Sequence, residues 1–193
     1  MDNQIKNIFK YALVLFIITA VTASLLAWVN MVTVDKIAQN AVLAENEALR
    51  EVMANAESFD ALDEASAKGY AAQAIYVAKD ASDKAIGLCV KMAQNGYGGE
   101  IVSIIGVDTE GIVTGVSIIS HSETPGLGAK LVKDDFKGQF TGKGEVSVVK
   151  AGAKDNEVNA ISGATRSSKA LASSVNSAVA ILKQIKGEGI YIQ

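Results

Sequence analysis

The amino-acid sequence predicts an α+β fold: a single N-terminal transmembrane helix and stalk, then an antiparallel-rich sheet and a C-terminal helix. Three observations carry this expectation. Residues 11–34 contain no charged side chain, the pattern from about Ala71 breaks into short β-branched runs separated by Gly, Asp, Lys and Asn, and an Ala/Ser/Val/Leu-rich run extends to about Lys186. With 193 residues there is room for one domain beside the anchor, since domains cluster near about 100–150 residues. The expected division is 1–34 for the cytoplasmic N-terminus and anchor, 35–69 for a helical connector and 70–193 for the folded domain.

The uncharged run of about 24 residues makes roughly 36 Å of helix, enough to cross a hydrocarbon core. Lys6 and Lys10 precede it, Asp35 and Lys36 follow it, and Trp28 lies near its far end, where an amphipathic ring suits the interface. The two lysines mark the amino end as cytoplasmic and put the rest of the chain on the outer side. A cleaved signal peptide is the alternative, with Val21-Thr22-Ala23 as its small-residue site, but the apolar core is longer than a signal's. Ala20, Thr22, Ala23, Ser24 and Ala27 give the helix small residues that let other membrane helices pack closely. A multi-subunit complex is therefore expected.

Beyond the anchor, Ile37, Ala41, Ala44, Ala48 and Val52 form one stripe of an amphipathic stalk, with Glu45, Glu47, Glu51 and Glu57 on its wet side. Residues 56–69 are polar and Ala-rich and read as a short helix or loop. Strands are expected at 72–78, 85–92, 101–108, 112–120 and 144–149, with Asp108-Thr109-Glu110-Gly111 as a hairpin turn. The closing helix, 166–186, turns Leu171, Val175, Ala178, Val179 and Leu182 to the sheet.

Two glycine-rich interruptions and the helix start are the candidate site. Asn95-Gly96-Tyr97-Gly98-Gly99 separates two strands. The segment from His121 to Lys130 gathers Glu123, Thr124, a Pro125-Gly126 pair suited to a type II turn, Leu127 and Gly128. Glycines let a backbone approach a flat ligand, and Leu127 offers it an apolar face. At the helix start, Ser162, Thr165, Ser167 and Ser168 crowd a place where backbone N–H groups are unpaired and the macrodipole is positive. Such an end is either capped by a hydroxyl or holds an anion.

Composition removes other classes. A net charge of −3 without a Lys/Arg cluster leaves no nucleic-acid footprint. The single cysteine, Cys89, rules out an internal disulfide and a within-chain iron–sulfur site, and reads as a small buried hydrophobe. The single histidine, His121, leaves no haem or zinc constellation. Electron or group transfer here calls for an organic cofactor.

Taken in order, the uncharged helix, the His121-Ser122-Glu123-Thr124-Pro125-Gly126-Leu127-Gly128 loop and Ser162-Gly163-Ala164-Thr165 before a terminal helix carry a resemblance. The chain resembles the G subunits of Rnf (Rsx) electron-transport complexes, in the family of covalent FMN-binding domains shared with the C subunits (NqrC) of the sodium-pumping NADH:quinone oxidoreductase. The compact chain favours the Rnf member. The resemblance implies that a flavin transferase, using FAD, esterifies FMN through its phosphate to Thr165. Gly163 and Ala164 would leave room for the phosphate, and Ser162, Ser167 or Ser168 would donate to it. Glu123, Thr124, Gly126, Leu127 and Gly128 would lie along the ring, with Tyr97 closing another side.

The resemblance further implies an electron-transferring subunit in the inner cell membrane, single-pass, with no metal and no independent catalysis. Its partners would be the other membrane and iron–sulfur subunits of a complex coupling ferredoxin and NAD to transport of Na⁺ or H⁺. One residue departs from the pattern. Asn159 stands where the transferase motif usually carries Asp, three residues before Ser162, with Glu157 as a nearby partial substitute. The residues alone also admit a module that holds a phosphorylated ligand reversibly, and a structural subunit whose glycine loops are only turns.

Overall fold

The computed structural model describes residues 2–63, 67 and 69–188, with side chains left out at 2, 3, 5 and 6. The Lys6 side chain and parts of the 56–69 stretch, 64–66 and 68, thus lie outside the described residues. The chain forms two compact units, 1–44 and 45–193.

Helix α1 (Asp2–Val52) supplies the whole first unit. It is long and apolar enough to cross a membrane, with a mean hydropathy of 2.4 in its most apolar stretch. Its large side chains, Phe16, Leu25 and Trp28 among them, face outward. In lipid every polar group needs an internal partner. The hydroxyls comply: Thr19 donates to Leu15 O at 3.0 Å, Thr22 to Ile18 O at 2.9 Å and Ser24 to Ala20 O at 2.8 Å.

The second unit is built on five strands: β1 (Ser58–Ala61), β2 (Ala74–Lys79), β3 (Ala85–Asn95), β4 (Glu100–Asp108) and β5 (Val113–His121). They lie in sequence order, each antiparallel to the next. The Asp108 turn forms as expected. Its carboxylate accepts from the amides of Glu110 at 2.8 Å and Ile112 at 2.9 Å, and Gly111 takes φ +89°. After β5 come a 3₁₀ turn (Gly128–Val132), the short helix α2 (Asp134–Lys137), β6 (Ser147–Val149), β7 (Glu157–Asn159) and helix α3 (Thr165–Gly187).

Both faces of the sheet are covered. On one, Leu171, Val175, Ala178, Val179 and Leu182 of α3 are buried, at about 1.5–3 kcal/mol for each large aliphatic side chain. On the other, Ala48, Leu49, Val52 and Met53 at the end of α1 pack with Ala78, Cys89 and Ile104. Cys89 is fully buried, and burial pushes its thiol up to about 12, so it acts as packing.

Four expectations are corrected. The stalk stripe is buried only at Ala48 and Val52, while Ile37 remains 65% exposed. Glu45 and Glu51 are not merely solvated. Glu45 pairs with Lys91 at 2.8 Å and accepts from the Tyr76 hydroxyl, and Glu51 pairs with Lys137 at 2.7 Å, fastening the end of α1 to the domain. β1 lies in the stretch read as helix or loop, because four residues with one aromatic carry no readable period. The expected 144–149 strand shortens to β6 and leaves the main sheet, pairing in parallel with β7.

Candidate functional site

Three chain segments converge at one end of the sheet. The first is the turn between β3 and β4, closed by Gly96 N–H on Gly99 O at 2.8 Å. The second leaves β5 at His121. It makes the expected type II turn, with Gly126 at φ +79° and Leu127 N–H bonded to Thr124 O at 3.2 Å. The third is the start of α3.

Glu123 joins all three. One carboxylate oxygen accepts from the amides of Tyr97 at 2.7 Å and Gly98 at 3.1 Å, and the other from the Ser167 hydroxyl at 2.7 Å. The residue is only 6% exposed. Burial alone pushes its carboxyl up, but the Ser167 hydroxyl, the two amides and nearby His121 outweigh this and hold it below the ordinary value. The glycines make the approach possible. A Cβ at Gly96 would stand 2.1 Å from Glu123 Oε1, and one at Gly128 would stand 2.2 Å from Oε2.

Around this clasp lies a cavity of about 280 Å³ lined by Tyr97, Glu123, Thr124, Leu127, Gly128, Gly163, Ala164, Arg166 and Ser167. Eight of the residues singled out from the sequence meet here. Gly163 sits at φ +79°, and a Cβ there would already touch Leu127 at 3.4 Å. Tyr97 is 77% and Leu127 47% exposed, two large apolar faces held at the mouth. A larger groove of about 520 Å³ runs along α3 past Lys169, Ser173 and Ser177, but it is open and contains none of the predicted site residues.

The remaining four predicted residues are outside the lining. Gly126 shapes the turn. Ser168 is buried, accepting from Ile161 N–H at 3.0 Å and donating to Ala164 O at 3.0 Å. Ser167 is likewise spent on Glu123, so neither buried serine has its hydroxyl proton available for an anion. Ser162 and Thr165 are exposed, beside the cavity's Gly163, Ala164 and Arg166. The capping expectation is also corrected. The N-cap is Ala164, with no side-chain bond, and the amides of Thr165, Arg166 and Ser167 have no acceptor among the described residues. Helix ends of this kind receive anions.

Arg166 is the residue that the sequence reading missed. Its signal was its place, directly after Thr165. Tyr97 and Leu127 offer apolar faces to a planar group, and the open amides offer donors to an anion. At about 280 Å³ the cavity is just below the usual range for small-molecule sites, about 300–1,000 Å³, so it admits part of a nucleotide rather than the whole.

The family model for an FMN-binding domain matches residues 96–180, which contain this cavity, and that for the RnfG N-terminal region matches 1–52. The G subunit of the Na(+)-translocating ferredoxin:NAD(+) oxidoreductase complex of Acetobacterium woodii is 35% identical, over 93% of this chain and 94% of that one. The chain belongs to the RnfG family. Another member, from the proton-translocating complex of Clostridium ljungdahlii, is 34% identical over 92% of this chain and 93% of its own. Among solved structures, NqrC of Shewanella oneidensis shares the fold at TM-score 0.51 and 23% identity, covering 57% of this chain and 61% of that one. The C subunit of the Na(+)-translocating NADH-quinone reductase of Parabacteroides distasonis does so at TM-score 0.54 and 20% identity, covering 73% and 91%.

In this RnfG family member, Asn159 ends β7. Its side-chain oxygen accepts from Ala153 N–H at 3.0 Å, a bond that either Asn or Asp can make. Together, the apolar helix and the relatives identify a membrane-anchored protein.

Proposed function

We propose that this chain is the electron-carrying G subunit of an ion-translocating ferredoxin:NAD oxidoreductase, with FMN joined by a phosphoester to Thr165. The observation that carries the reading is the cavity formed by the Glu123–Gly128 loop, Tyr97 and the start of α3, with exposed Thr165 standing in the chain between the lining residues Ala164 and Arg166. FMN, when bound, supplies reversible electron transfer. The protein supplies retention and orientation. Leu127 and Tyr97 offer faces to the ring, the open amides of Thr165, Arg166 and Ser167 receive the phosphate, and Glu123 fixes the three segments against one another.

Exposure of Thr165 supports access by a flavin transferase during maturation. In this reading residues 1–34 are the cytoplasmic end and the anchor, 35–69 the connector and 70–193 the FMN domain. The domain lies on the outer side of the cell membrane, beside the complex's other membrane and iron–sulfur subunits. Covalent attachment suits that side, where lost FMN is not readily replaced. Denaturation tests the linkage: after co-expression with a flavin transferase, yellow colour should stay with the precipitated chain in acid or urea. Colour released to the supernatant would mean a reversibly bound ligand.

A further inference from the structure

Arg166 occupies a position that the protein's own interactions do not explain. It lines the cavity and is exposed, in a first helical turn that holds no acidic residue. The positive end of the macrodipole disfavours a cation there. Among the described residues Arg166 has no ion pair; the bridges found serve Lys79, Lys91, Lys137 and Lys183. The single carboxylate lining the cavity, Glu123, already accepts from Ser167, Tyr97 and Gly98. Arg166 is thus a cation of the cavity lining with no counter-charge among the described residues.

We propose that Arg166 is the counter-ion of the flavin ring and favours its reduced, anionic form, an inference that rests on the flavin reading above. The ring is the partner rather than the phosphate, because Arg166 lines the cavity and Thr165 does not. A phosphoester carries the same charge in both redox states. The ring, by contrast, takes up two electrons and one proton near neutral pH and gains a negative charge on its pyrimidine end. The electrons come from reduced ferredoxin, the donor in the relatives' reaction, and the proton comes from water. The positive charge of the guanidinium stands in for the second proton.

The test is a dithionite titration of the full chain in detergent, co-expressed with a flavin transferase, followed by flavin absorbance with reference dyes. Arg166→Gln should lower the potential by about 30 mV, a tenfold loss of preference for the reduced ring in a two-electron couple. The bend in potential against pH, where the second proton is lost, should move to higher pH. Arg166→Lys should recover most of both effects, and Lys130→Gln, outside the cavity lining, should change neither. An unchanged potential and bend in flavin-loaded Arg166→Gln would overturn the inference and leave the flavin reading standing. So would an equal shift in Lys130→Gln. A folded Arg166→Gln chain without its flavin adduct would assign the residue to attachment and overturn the ring assignment. Absence of flavin from the parent chain would overturn both readings.

Discussion

The Ser167 hydroxyl donates to Glu123 Oε2 at 2.7 Å across 44 positions of sequence, and both residues are buried. This bond ties the loop after β5 to the third residue of α3, while the other carboxylate oxygen holds the β3–β4 turn. The candidate site depends on this one side chain for its shape.

Removing the carboxylate should therefore cost stability. Glu123→Ala leaves the buried Ser167 hydroxyl and the two half-buried amides of Tyr97 and Gly98 without their acceptor. Bonds to a charged group contribute about 1.5–3 kcal/mol each, and water takes over in part at the two half-buried amides, so a total near 3–5 kcal/mol is expected. Urea unfolding of the detergent-solubilised chain measures it. A loss below about 1 kcal/mol would mean that water or a neighbour readily replaces the carboxylate.

The same residue sets a pH dependence. Its folded-state pKa lies below the ordinary 4.5, so between the two values the unfolded chain binds more protons. Glu123's contribution is complete above that ordinary value and is lost as pH falls through the folded-state pKa. Stability measured from pH 6 down to pH 3 should fall less steeply in Glu123→Gln than in the parent chain. Parallel curves would contradict the shift.

Gly128→Ala places a Cβ 2.2 Å from Glu123 Oε2 and 2.9 Å from Ser167 Oγ, forcing the bonded pair apart. Overpacking of this kind costs about 1–3 kcal/mol. Thermal unfolding should report that loss, and flavin content after co-expression should drop with it. A chain that keeps both would show that the loop has room to yield.

Asn159→Asp retains an acceptor for the Ala153 amide, so the fold should be unchanged. It adds a charge at the position where the flavin-transferase pattern carries one. The flavinylated fraction at a fixed expression time, read by mass, should rise. An equal fraction in both chains would show that the transferase does not read this charge.

Much of this was legible in the sequence, for identifiable reasons. β3, β4 and β5 are long, β-branched and bounded by turn residues, and α3 has an unbroken apolar stripe; local pattern and tertiary outcome agree in them. β1 and β7, with four and three residues, are strands only because a neighbour pairs with them. At the site, the loop and the Ser162–Thr165 stretch stood out by composition. The direction of each hydroxyl did not. Ser167 and Ser168 turn inward because residues 44 and seven positions away need them, a fact no local pattern carries. Glu45 and Glu51 escaped for the same reason, since their partners lie on distant elements.

Covalent attachment of FMN is read most directly from the intact mass of the full chain co-expressed with a flavin transferase. A phosphoester at Thr165 predicts one added FMN less water on the parent chain and none on Thr165→Ala. An unmodified parent chain, or an adduct that persists in Thr165→Ala, would contradict it.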